Sequence, residues 1–91
     1  MDNNYKQYEE TAELLKVLAH PIRLCIVSGL LEVGSCNVSK MQNCLGVPQS
    51  TISQHLQKLK SVGIIIGERN GLEVFYKIAD ERVETIIKAL L

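Results

Sequence analysis

The chain has 91 residues, 46% of them hydrophobic, with three tyrosines, one phenylalanine and no tryptophan. That makes one domain, with a modest Leu/Ile/Val core and little room for a buried active site. Ten basic and ten acidic side chains give a formal net charge of +0, which excludes a uniformly basic polyanion binder but not a locally basic one. The charges are in fact segregated: Asp2, Glu9, Glu10 and Glu13 crowd the start, and Asp80, Glu81 and Glu84 sit near the end. From Val33 to Gly67 the charged residues are Lys40, Lys58 and Lys60, with no carboxylate. Such a chain can present a positive face although its sum is zero. No stretch is long and apolar enough to cross a bilayer, and "MDNNYKQYEE" is too acidic and polar for a signal peptide. A cytoplasmic protein with no membrane partner is expected.

The pattern predicts a first helix from Asn4 to Ala19, with Leu14, Leu15, Val17 and Leu18 apolar. "AHP" ends it, because a residue before proline leaves helical geometry, and Pro21 suits the first turn of the next helix. That second helix, "PIRLCIVSGLLEV", should bury Ile22, Cys25 or Ile26, and Leu30, and "GS" breaks it. Asn37 is a good N-cap for a short third helix, "VSKMQNCL", with Val38, Met41 and Leu45 inward and Gly46 just past its end. After a tight turn, "VPQSTISQHLQKL" continues as a fourth helix to about Ser61, with Gly63 terminating it. In "IIIGERNGLEVFYKI", Asn70-Gly71 between two strand-like runs is a strong hairpin signal. Val74, Tyr76 and Ile78 there alternate with Glu73, Phe75 and Lys77. A last helix, "DERVETIIKALL", gathers Val83, Ile86, Ile87, Leu90 and Leu91 on one side, and its acidic first turn suits the helix dipole.

The predicted architecture is mainly α with a β-hairpin, in the order α-α-α-α-β-β-α. The third and fourth helices form a helix-turn-helix, and the hairpin after them a wing. The fourth helix carries one apolar stripe, Ile52, Leu56 and Leu59; the residues between are hydroxyls, amides, a histidine and lysines. An ordinary surface helix would show Glu/Lys pairs there. A duplex explains the difference. Gln49 and Gln54 carry the acceptor and donors that pair with adenine, and Ser50, Thr51 and Ser53 suit bases or phosphate. Lys58, Lys60 and Lys40 suit phosphate, and a carboxylate would be repelled. His55 lies between the polar face and the stripe, where a DNA contact and a structural bond compete. Arg69 and Asn70 at the wing tip are placed for the backbone or minor groove.

Three segments together, "LKVLAHPIRLCIV", "NVSKMQNCLGVPQSTISQHLQKLKSVGII" and "GERNGLEVFYKI", resemble the ArsR/SmtB family of small winged-helix repressors over nearly the whole chain. The resemblance implies a homodimer joined by its first and last helices, here 1–19 and 80–91. It implies a double-stranded operator bound to block transcription and released by an inducer. The apolar last helix supports a partner independently, since so small a domain cannot cover it alone. Leu14, Val83, Ile86, Ile87 and Leu90 are the expected interface. A two-fold dimer would set its recognition helices roughly 34 Å apart and prefer an inverted repeat.

The inducer is less legible. Cys25, Cys36 and Cys44 are an odd set without CxxC, which argues against a disulfide framework or zinc ribbon. Metal-sensing members of the family often have Cys-Val-Cys or Cys-Val-Gly at the start of the third helix. Asn37, Val38 and Ser39 stand there, with Cys36 one position early, and no histidine follows His55 for a last-helix zinc site. A thiolate-bound soft metal or metalloid is one reading of the cysteines; an oxidant or persulfide response is another. Cys25 in its apolar run, and Cys44 beside Leu45, are expected to pack. Cys36, near a helix N-terminus that can lower a thiol pKa, is the first sensor candidate. Catalysis is not expected: His20 and His55 are the only imidazoles, and no acid is placed to orient either. A winged-helix protein-interaction module without DNA binding is the remaining alternative.

Overall fold

The computed structural model describes residue 1 and residues 3–91, so the acidic reading of Asp2 lies outside the described residues. The chain enters through a 3₁₀ turn, Tyr5–Tyr8, and becomes α-helical only at α1, Glu9–Leu18. The predicted helix from Asn4 is therefore too long. The turn buries no side chain, so no packing holds it in α geometry, and short 3₁₀ pieces are common at helix starts. His20 is extended (φ −149°, ψ 131°) ahead of Pro21, which opens α2, Pro21–Val33. Its ring caps the new helix: Nδ1 accepts from the Ile22 amide at 3.1 Å.

Helix α2 buries Ile26, Val27 and Leu30, with Ile22 packed beside them, whereas Cys25 is exposed. This corrects the expectation that Cys25 packs. At about 100° per residue it projects roughly 130° away from the middle of that stripe. Cys44 is likewise exposed, correcting its assignment to packing. Gly34 (φ 87°) ends α2, and the chain then forms a two-residue strand, β1, Cys36–Asn37. Asn37 Oδ1 accepts from the Lys40 amide at 2.9 Å, capping α3, Val38–Leu45. Gly46, left-handed at φ 68°, turns the chain toward α4, Gln49–Ser61.

Strands β2, Ile65–Asn70, and β3, Glu73–Ile78, form the hairpin. Asn70 pairs with Glu73, so the loop is Gly71-Leu72, one residue later than the sequence predicts. Gly71 supplies the positive φ (68°), and among the described residues no non-glycine residue has one. A turn with φ > 0 only at its first central residue fits Gly-Leu; a turn centred on Asn-Gly would force Asn70 into that region too. The sheet has three strands in the order β1-β3-β2, all antiparallel, rather than the expected two. Cys36 and Asn37 cover part of the edge that β3 would otherwise leave open.

Helix α5, Glu81–Leu90, is capped by Asp80, whose carboxylate accepts from the Arg82 amide at 2.9 Å and pairs with its guanidinium at 2.7 Å. The Arg82 hydrogen bonds hold the Asp80 carboxyl below its ordinary pKa. Ile52, Leu56 and Leu59 of α4, at 0%, 2% and 0% exposure, sit at the centre of the core. They share one core cluster with Val27, Leu30, Ile64, Ile65 and Val83. Leu14 and Ile87 are also buried there.

Truncating Leu59 should leave a cavity that neighbouring helices cannot fill. Leu59→Ala is expected to cost about 2–5 kcal/mol in urea unfolding. An unchanged midpoint would show that α4 is not held by this stripe.

Candidate nucleic-acid interface

Burial of the Ile52/Leu56/Leu59 stripe fixes what the rest of α4 faces. Gln49, Ser50, Ser53, Gln54, Gln57, Lys58 and Lys60 are exposed, while Thr51 and His55 are half-buried on one flank. On a helical wheel Ser50, Gln54 and Gln57 project almost opposite the stripe. Ser53, Gln54, Gln57 and Lys58 line a shallow open depression along this side. Gln57 was absent from the sequence-derived contact set, although its three-residue spacing from Gln54 places it on the same face. Lys40 is exposed on α3. Among the described residues no side chain caps α4, whose N-cap is Pro48; Thr51 and Ile52 donate their amides to the Pro48 carbonyl at 3.0 and 3.2 Å, which leaves the Gln49 and Ser50 amides for a phosphate oxygen.

The wing follows α4 directly, through Ile64 and Ile65, which are buried in the same core. Arg69 and Asn70 are exposed near its tip, and Leu72 at the tip is 98% exposed. Its acids are engaged: Glu68 pairs with Lys77 at 2.7 Å, and Glu73 accepts from Asn37 Nδ2 at 3.2 Å. The exposed Glu68–Lys77 pair contributes little to stability but offsets one negative charge a polyanion would meet, whereas Glu73, bonded to a neutral amide, keeps its charge.

His55 is turned toward α2. Its Nδ1 lies 3.1 Å from Arg23 Nη1, and its ring centroid is 4.5 Å from that of His20. Arg23 in turn donates from Nε to the Val17 carbonyl at 2.6 Å. The structure therefore gives His55 the structural bond of the two competing readings. Burial, with His20, Arg23 and Lys58 nearby, pushes its pKa down. No local sequence pattern links residues 17, 20, 23 and 55.

The thiols are arranged differently from expectation. Cys36 is half-buried and its sulfur lies 3.4 Å from the Asn37 carbonyl oxygen. Its pKa is raised, chiefly by burial; Lys40 opposes this, and Cys44 adds to it. The expected lowering by the helix N-terminus is thus outweighed. Among the described residues no group of three or more His, Cys, Asp or Glu could hold a metal ion. With Asn37 and Ser39 at the positions where cysteines would serve, the side chains of one chain do not fit a metal centre. Iodoacetamide at pH 8 should label Cys25 and Cys44 before Cys36, read by mass spectrometry over time. Labelling of Cys36 first would contradict the burial argument.

Residues 20–66 match the family model described as "Bacterial regulatory protein, arsR family". The chain is 45% identical over 86 residues to the transcriptional repressor PagR of Bacillus anthracis, covering 94% of this chain and 86% of that protein. The PagR crystal structure superposes with a TM-score of 0.87, covering 97% of this chain and 100% of the chain in that structure. The chain is also 43% identical over 79 residues to the repressor SmtB of Mycobacterium tuberculosis, covering 87% of this chain and 58% of SmtB. Reduced HlyU from Vibrio cholerae, at 29% identity, superposes with a TM-score of 0.89 over 99% of this chain and 94% of HlyU. Five helices, a three-stranded sheet and a helix with an acid-free outer face accompany these matches: the chain belongs to the ArsR/SmtB family of winged-helix transcriptional repressors, which bind DNA and are not enzymes.

Proposed function

We propose that the protein is a cytoplasmic repressor that binds an inverted-repeat operator as a homodimer, with α4 in the major groove and the wing beside it. The observation that carries this reading is the outer side of α4, where Ser50, Ser53, Gln54, Gln57 and Lys58 stand without a carboxylate. Gln54 and Ser50 read base edges; Lys58, Lys60 and Lys40 engage phosphate; Arg69 and Asn70 follow the flanking backbone. Gln49, Thr51 and Ser53 position the helix start.

The dimer uses residues 1–19 and 80–91. Leu90 and Leu91 are 72% and 80% exposed, and Leu15, Tyr5 and Tyr8 are exposed on the N-terminal side. Leu14, Val83 and Ile87 lie within the chain's own core, so the contact falls to half-buried Ile86 and to Leu90, Leu15 and the tyrosines. Release by an inducer acting on Cys36, Cys44 or Cys25 is consistent with free thiols, two of them exposed. A thiol-reactive oxidant or persulfide fits these residues better than a metal.

The experiment is binding to a duplex from the region upstream of the protein's own gene. Affinity should fall about 10³–10⁵-fold between 50 and 200 mM salt if six to ten phosphates are neutralised. Binding that ignores salt, or none, would favour a protein-interaction module. Gln54→Ala should cost about 1–3 kcal/mol on this duplex and relax base preference, whereas Lys58→Ala should weaken all sequences alike and flatten the salt slope. Leu90→Glu should give a monomer in sedimentation and weaken operator binding; an intact dimer would remove α5 from the interface.

A further inference from the structure

Arg23 makes two bonds that join parts of the chain far apart in sequence. Its Nε donates to the Val17 carbonyl at 2.6 Å, and its Nη1 meets His55 Nδ1 at 3.1 Å. Val17 lies in the last turn of α1, where carbonyls lack intrahelical partners. His55 lies in the middle of α4. His20, whose ring centroid lies 4.5 Å from that of His55 with the planes tilted by 46°, caps α2. One guanidinium thus ties the end of α1 to the recognition helix beside the α1–α2 corner.

We infer that Arg23 is a positioning residue for α4, acting through His55, and that its hold requires a neutral His55, so that operator selectivity is lost on acidification. This rests on the DNA-binding role proposed above. A guanidinium only donates, so His55 Nδ1 must accept, and the ring's proton must sit on Nε2. Protonating His55 makes both ring nitrogens donors and removes the acceptor. It also places a cation against Arg23 and His20, with Lys58 nearby on α4. Arg23 and Lys58 are cationic, and burial is the largest part of the penalty. Below the ordinary histidine pKa of about 6.5 the protonated ring is better accommodated with the tie broken. The protein has two histidines, both in this cluster. A change from pH 7.5 to 5.5 therefore acts on its side chains mainly here.

The direction of the effect separates this role from plain electrostatics. A histidine that merely touched phosphate would tighten DNA binding as it charged. A positioning histidine loosens it, because α4 loses its registration.

The test is fluorescence anisotropy with the upstream duplex and a scrambled duplex of equal length, at pH 7.5 and 5.5 and constant ionic strength. The preference for the upstream duplex should fall about tenfold, the worth of one base contact. His55→Asn, whose Oδ1 stands where Nδ1 does and accepts from Arg23 but does not titrate, should keep its preference at both pH values. Arg23→Lys cannot make both bonds and should lose preference at pH 7.5. The His55 titration followed by NMR in the unaltered protein should have its midpoint where the preference falls, which serves if a variant fails to fold. A preference that is constant or rises in acid, or that falls equally in His55→Asn, overturns the inference. Absence of salt-dependent binding at pH 7.5 overturns the DNA-binding reading itself and takes this inference with it.

Discussion

The structure depends on the burial of three side chains, Ile52, Leu56 and Leu59, along one line of α4. A 13-residue helix is marginal alone in water and is held chiefly by the apolar side it buries. That burial fixes the helix about its axis. Once the stripe is inward, Ser50, Gln54 and Gln57 must point outward, and the chemistry of the interface follows from packing. α3 and the Gly46 turn set the approach of α4, and Ile64 and Ile65 lead from the same core into the wing. The site and the core are two sides of one helix.

Charge completes this division. The acids lie mainly on α1 and α5, where Glu10 and Glu13 approach α4 at its C-terminal end beside Ser61 and not at its N-terminal turns; on the wing Glu68 is paired with Lys77 and Glu73 is bonded to Asn37. A net charge of zero therefore coexists with a face fit for a polyanion, because position and not the sum decides the local potential. Arg23 adds a mechanical link, joining the α1 end to α4 through bonds to Val17 and His55.

Helices, caps and the wing were legible because each has a local signature. His-Pro marks the α1–α2 corner, Asn37 caps α3, Gly46 and Gly63 take positive φ, and Asp80 caps α5. The polar side of α4 was legible from periodicity alone. Features made by distant residues were not. The strand at Cys36–Asn37 exists through its pairing with Phe75 and Tyr76. The inward turn of His55 depends on Arg23, 32 positions earlier. Cys25 was misplaced because α2 is apolar over much of its surface, so composition did not reveal which side faced the core. The hairpin loop slipped by one residue because Asn-Gly and Gly-Leu both supply a glycine to a two-residue turn.

The most direct test of the central claim is an amide chemical-shift map recorded as the upstream duplex is added to the labelled protein. The account predicts that the largest changes fall on the first turns of α4, from 49 to 58, and at the wing tip near 69–72, with residues 5–15 and 86–91 little changed. Changes concentrated on the terminal helices, with α4 silent, would contradict it.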